Sequence, residues 1–349
     1  VRAALVRLED QVHIFALVMH HIVSDGASMQ VLVDELAALY VARQAGSETL
    51  PPPAIQYADY AVWQHDHPDQ ESRERQLAYW VKQLGVPPGE AQPVLALPAD
   101  HPRQAVARYR AGQHGFELPK GLVAGLRGPA EAHGATLFMV LLAVLQALLH
   151  RYSGQHDIRV GVPVANRSRA ELQSVVGFFV NTLVLRNSVE GRMSLAQVLA
   201  QARETALGAQ THQELPFEQI VEALRPERNL GATPLFDVMF NHLQRDFSPL
   251  QRRLGWSVSE MSIGNEHAQF ELTVDTSEDA DGRVHVSFTY AKELYEASTI
   301  ERMAGHYVAV LEALVERPDQ AVGDVELLTE AERQQLKSWG ENRTRYPDA

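Results

Sequence analysis

Cysteine is absent from the 349-residue sequence. Disulfides, thiolate metal sites and a covalent thioester to the chain itself are thereby excluded. Any soft-ligand or base chemistry falls to the fifteen histidines. Basic charge is scarce: 31 Lys and Arg stand against 44 Asp and Glu, a net charge of −13. A broad phosphate-backbone footprint needs the opposite sign, so nucleic acid is not an expected partner. Long apolar runs are missing too, and no N-terminal stretch joins a basic start to an apolar core and a small-residue cleavage site. A bilayer span needs about 20 apolar residues. The expectation is a cytoplasmic, reducing setting without membrane contact.

What is present is ample core material, 45% hydrophobic residues in a chain longer than most single compact cores. Two lobes are expected. Val12, Ile14, Ala16 and Val18 alternate with a second set that is also mostly apolar, which predicts a strand covered on both faces and ending at His20 and His21. Over about 28–45, Met29, Val31, Leu32, Leu36, Leu39 and Tyr40 recur at helical spacing. Proline-rich stretches at 50–56 and 86–103 read as extended linkers. The segments between them place Tyr57, Tyr60, Trp63, Leu77, Trp80 and Leu84 at helix-compatible intervals.

A second, strand-rich half is expected from near Val106, with a helix apolar nearly all round at 136–152. The β-branched runs at 157–167 and 175–186 predict neighbouring strands of a buried sheet. Helical periodicity returns at 194–225 and 298–315, and 269–290 reads as two strands joined by a turn at 279–282. The closing "ENRTRYPDA" has no core-forming pattern and reads as the start of a linker.

The stretch with chemical content is "MHHIVSDG" at 19–26, a strand-to-helix connection. Histidine serves as a base near neutral pH once its tautomer and ring plane are fixed, and such a connection supplies rigidity. Gly26 relieves the backbone at the helix entry and leaves an N–H free to meet a developing oxyanion. Asp25 is too near His21 in sequence to be presumed its partner, and an arginine from elsewhere is the alternative. Three readings stand: a structural turn, a metal site and a catalytic base. Zinc fits least, because adjacent histidines on a strand diverge, unlike the i, i+4 pair of a helical site.

The pattern H-H-x-x-x-D-G, here His20, His21, Asp25 and Gly26, resembles the signature of nonribosomal peptide synthetase condensation domains, within the chloramphenicol-acetyltransferase-like superfamily. Four further stretches resemble that family in the expected order: "YADYAVWQ" at 57–64, "VGVPVANRSRAELQSVVGFFVNTLVLR" at 160–186, "HQELPFEQIVEAL" at 212–224 and "TPLFDVMFN" at 233–241. The similarity runs from residue 1 to about 330, and "LLTEAERQQLKSWGENRTRYP" resembles a connector into an adenylation domain. Ala27 departs from the family, which usually carries a bulky aromatic after the glycine.

The resemblance implies an α/β fold of two related lobes in a V, a pseudo-dimer with a tunnel between them. It implies an incomplete N-terminal lobe at 1–104 with the HHxxxDG motif and a crossing linker, a C-terminal lobe at 105–328, and a linker at 329–349. The implied reaction is peptide-bond formation between an upstream carrier-bound acyl thioester and the amine of a downstream carrier-bound aminoacyl thioester, of the L-donor to L-acceptor type. His21 is implied as the catalytic residue, with His20, Asp25, Gly26 and Arg167 as support. Arg167 is the implied partner of Asp25, and Arg159 the alternative. Asn181 and Ser277 are candidates to line the tunnel, each with a plain alternative as an ordinary strand polar group. No metal and no bound cofactor are implied, since phosphopantetheine arms arrive on peptidyl carrier proteins, and the adenylation domain lies in the same polypeptide. A non-catalytic docking platform and an epimerising relative remain the alternative functions.

Overall fold

A computed structural model describes residues 1–47, 50, 52–66, 69–87, 89–103, 109–225, 234–244, 246–259, 261, 264, 266–279 and 281–341. The chain opens with strands β1 (Arg2–Arg7) and β2 (His13–Val18), followed by helices α1 (Gly26–Gln44), α2 (Tyr57–Asp66) and α3 (Gln70–Leu84). Next come β3 (Tyr109–Glu117), α4 (Lys120–His133), α5 (Leu137–Ser153), β4 (Asp157–Val164) and β5 (Asn181–Ser188). Helices α6 (Leu195–Thr211) and α7 (Phe217–Leu224), strand β6 (Val238–Gln244) and helix α8 (Ser248–Leu254) continue the chain. Strands β7 (His267–Ala268), β8 (Leu272–Glu278) and β9 (Val284–Ala291) precede helices α9 (Ala297–Glu316) and α10 (Glu330–Gly340).

The architecture is mixed α/β. Among the described residues seven strands form one sheet in the order β5-β4-β6-β8-β9-β3-β7, parallel at β4–β6 and β6–β8 and antiparallel elsewhere. Helices α4, α5, α6 and α9 pack together against it. At their centre α5 is buried without a break from 139 to 150, as its all-round apolar sequence requires. Capping boxes at Thr136 and Ser194 start α5 and α6 by satisfying first-turn N–H groups. Helix α3 is fastened by Trp80, fully buried, whose indole N–H donates to the His212 carbonyl at 2.9 Å. Among the described residues, no single helix is long and apolar enough to cross a membrane.

Several expectations change. Strand β2, expected to be covered on both faces, pairs among the described residues only with β1 in a two-stranded sheet, and Phe15 and Val18 are 53% and 64% exposed. The run at 175–186 becomes a strand only from Asn181, because the backbone at 177 and 179 bonds to the 25–28 segment instead of a neighbouring strand. The helical stretch 194–225 is two helices broken at 212–216, where Pro216 has no N–H to continue a helix. The boundary expected at 104/105, Val106 and Thr233 lie outside the described residues, as does most of the closing tail.

Candidate active site

The HH motif sits on a one-turn 3₁₀ helix at 21–23 between β2 and α1. His20 caps this turn: its Nδ1 accepts the Ile22 N–H at 3.1 Å, which gives the first histidine a structural task. His21 Nδ1 lies 2.6 Å from the Ser24 carbonyl oxygen. A carbonyl only accepts, so Nδ1 must carry the proton, and in the neutral ring Nε2 then holds a free lone pair. The edge-on ring of Phe178, 5.1 Å away at 84°, fixes the imidazole plane from the side. His21 is itself exposed, so that lone pair is open to a reactant.

Behind the turn lies a buried polar knot. Asp25, 4% exposed, is the N-cap of α1, which therefore starts at Gly26, two residues before the expected Ser28. Its Oδ1 accepts from the Ser28 N–H and hydroxyl, each at 2.8 Å, and Oδ2 accepts from the Phe179 N–H at 3.0 Å. Arg167 donates from Nη2 to Asp25 Oδ1 at 2.9 Å and from Nη1 to the carbonyls of Leu172 and Val175. Its guanidinium also lies over the Phe179 ring, 4.3 Å from the centroid. Burial alone pushes the Asp25 carboxyl up. Hydrogen bonds from the Ser28 hydroxyl and from the Phe179 and Ser28 N–H groups, with the Arg167 charge, outweigh it and hold the pKa below the usual carboxylate range.

The structure thus joins Asp25 to Arg167. Arg159 is committed elsewhere, to Asp157, Gln92 and the Leu84 carbonyl. Asn181 offers no free amide to a tunnel: Nδ2 donates to the carbonyls of Gln213 and Leu215, and Oδ1 accepts from the N–H groups of Thr182 and Phe217. Ser277 is half-buried in β8, paired in register with Leu243, whose side chain faces Gly26. The Gly26 N–H has no partner among the described residues and opens α1, where backbone donors collect positive potential.

Sequence reasoning missed Ser28, Gly177, Phe178 and Phe179. Ser28, fully buried, bridges Asp25 and the Gly177 backbone. Gly177 is required by crowding, since a Cβ there would lie 2.2 Å from the Tyr57 ring. The Tyr57 hydroxyl in turn donates to the Phe178 carbonyl at 2.8 Å, so "YADYAVWQ" braces the segment that holds His21 in plane. A cavity of about 380 Å³ opens next to this brace, walled by Tyr60, Trp63, Arg169 and Glu214, and His21 does not line it. No cluster of three or more His, Asp or Glu side chains able to hold a metal exists among the described residues.

The chain is similar to known proteins over nearly its whole length. The chain is 42% identical over 352 residues to one of the linear gramicidin synthase proteins of Brevibacillus parabrevis, covering 99% of this chain and 7% of that synthase. It is 39% identical over 354 residues to the malpibaldin synthetase of Mortierella alpina, covering 100% of this chain and 6% of that one. It spans less than a tenth of the length of the curated relatives it matches. Its fold is similar to the X-domain from teicoplanin biosynthesis, with a TM-score of 0.77 at 26% identity over 94% of this chain and 74% of that one. A four-domain nonribosomal peptide synthetase bound to AMP and glycine shares the fold with a TM-score of 0.80 at 21% identity, over 94% of this chain and 25% of that one. The family model described as "Condensation domain" matches residues 1–337, and the chain belongs to that family of nonribosomal peptide synthetase domains.

Proposed function

We propose that this domain forms peptide bonds between two carrier-bound substrates, with His21 meeting the attacking amine. The observation that carries this is the Nδ1 contact to the Ser24 carbonyl, which leaves Nε2 of an exposed residue as the acceptor. The amine nitrogen of a downstream aminoacyl thioester attacks the carbonyl carbon of the upstream acyl thioester. A C–N bond forms, the C–S bond breaks, and the upstream phosphopantetheine thiol leaves with the proton that the amine gives up. Nε2 orients the amine by accepting one of its N–H bonds and takes up charge as the tetrahedral intermediate forms. The unpartnered Gly26 N–H at the start of α1 is suited to the developing oxyanion.

The reading requires no cofactor held by this chain, since each phosphopantetheine arm comes with its carrier protein. The reading places an adenylation domain in the same polypeptide, supported by "LLTEAERQQLKSWGENRTRYP", which resembles a connector into one. The L-donor to L-acceptor subtype rests on the wording of "VGFFVNTLVLR" and "YADYAVWQ". A docking platform is the second reading, favoured by the likeness to a teicoplanin X-domain whose structure is a complex with OxyB. An intact, oriented His21 argues for catalysis over it.

Replacing His21 by Ala in the complete synthetase and measuring dipeptidyl transfer between loaded carriers tests the proposal. Transfer should fall about 10²- to 10⁴-fold, the range for a lost acid–base group. Undiminished transfer would remove His21 from the reaction, and a wild-type protein that recruits a partner without turnover would favour the platform.

A further inference from the structure

Helix α10 leaves the body in an unusual way. The chain just before it is firmly held: Arg151 donates to the Val322 and Val325 carbonyls at 2.7 and 2.8 Å, and Leu327 packs on the core. Beyond 328–329 that hold ends. Of the eleven residues of α10, only Glu332 is not exposed, and Leu336 and Trp339 face solvent at 49% and 69%.

Glu332 reaches back to a buried imidazole. His306 on α9 is 8% exposed, and its Nε2 lies 3.4 Å from Glu332 Oε1. Its other nitrogen, Nδ1, is 2.6 Å from the Tyr152 hydroxyl on α5. A carboxylate only accepts, so Nε2 carries a proton toward Glu332, and Tyr152 donates to Nδ1 when the ring is neutral. Burial pushes the Tyr152 hydroxyl up to about 12, which keeps that donor protonated. Glu332 therefore sets the tautomer, and Tyr152 satisfies the other ring nitrogen.

The same carboxylate starts the helix. Glu332 Oε2 accepts from the Thr329 N–H and hydroxyl at 2.8 and 2.7 Å, completing a capping box. Capping and anchoring thus share one side chain, at the first turn of a helix whose other ten residues are exposed.

We propose that Tyr152, His306 and Glu332 form a latch that docks α10 on the α5–α9 wall and releases it as a rigid arm about 328–329. One hydrogen bond to a charged acceptor biases an equilibrium by roughly tenfold or somewhat more. The docked direction of α10 is accordingly favoured and not locked.

The absence of cysteine makes a clean test available in the full chain. Spin labels on cysteines introduced at Ser338 of α10 and Glu312 of α9, both exposed positions, report the arm's distance from the body by pulsed dipolar spectroscopy. The parent should give one dominant narrow distance with about a tenth of the molecules elsewhere. Glu332→Ala should bring the second population to about equal weight, a shift of roughly tenfold. Thr329→Ala, which removes the cap but leaves His306 and Glu332 in place, should keep the dominant distance. An unchanged distribution in Glu332→Ala overturns the latch, and so does equal splitting in Thr329→Ala, because the cap would then hold the arm.

Discussion

Replacing Arg167 by Met tests whether the buried knot behind His21 holds the site together. The side chains of Arg167 and Asp25 are 6% and 2% exposed, so neither is relieved by water when the other is lost. Met fills much of the volume but deletes the charge, two donors to Asp25 and Ser28, and two donors to the Leu172 and Val175 carbonyls. Breaking a buried ion pair from one side costs about 3–5 kcal/mol. Each orphaned carbonyl that finds no water adds about 1–3 kcal/mol. A domain typically has only about 5–15 kcal/mol in hand, so the variant should sit near the edge of folding. Urea denaturation followed by tryptophan fluorescence should show a loss of at least about 3 kcal/mol with an unchanged slope. Adding Asp25→Asn should recover part of that loss, since the uncompensated charge disappears, and the coupling should reach about 1 kcal/mol or more. A loss below about 1 kcal/mol for Arg167→Met, in the range of an exposed pair, would refute the reasoning.

Asp237 should give an opposite, pH-dependent response. Burial, with a smaller push from Glu271 against the pull of Arg103, raises its pKa from 3.8 to about 7. The folded state then binds more protons than the unfolded one between those values, so its stability falls as pH rises through about 4 to 7 and levels off above. Asp237→Asn should flatten that slope and add up to about 4 kcal/mol at pH 8, checked by denaturation across pH, with an unchanged slope as the contrary result. Asp25, whose pKa is lowered, contributes stability above 3.8 that should vanish as pH falls through its folded value, and Asp25→Asn should remove that acid-side dependence in the same series. Gly177→Ala forces a methyl to within 2.2 Å of Tyr57 and should cost about 1–3 kcal/mol and slow peptide transfer, while Gly121→Ala, with open space at its Cβ, should do neither.

How much of this was legible in the sequence depends on how local the cause was. Helix α5 announced itself through an unbroken apolar stretch, and β8 with β9 through alternation around a turn at 279–282. Both depend on contacts whose sign the residue pattern carries. The fate of Val175 and Phe179 could not be read that way. A β-branched, aromatic run predicts a strand, but the Phe179 N–H goes to Asp25, 154 positions away, and propensity cannot anticipate such a partner.

At the site, the HH motif and Asp25 stood out through their spacing, and resemblance supplied Arg167 as the partner. The capping role of Asp25 has a local signal of its own, Asp25 followed three residues later by Ser28 at a helix start. Exposure of β2 ran against its composition for another reason. Composition gives the capacity to be covered, while only the neighbouring surfaces decide whether cover exists.

Which nitrogen of His21 carries the proton decides whether the ring can meet an amine. Two-dimensional ¹H–¹⁵N correlation of the imidazole rings, with His21 assigned through the His21→Ala variant, reads this directly at a pH where the ring is neutral. The Ser24 contact predicts a protonated Nδ1 and an unprotonated Nε2. A spectrum with the proton on Nε2 would leave no acceptor facing the amine and would contradict the proposed chemistry.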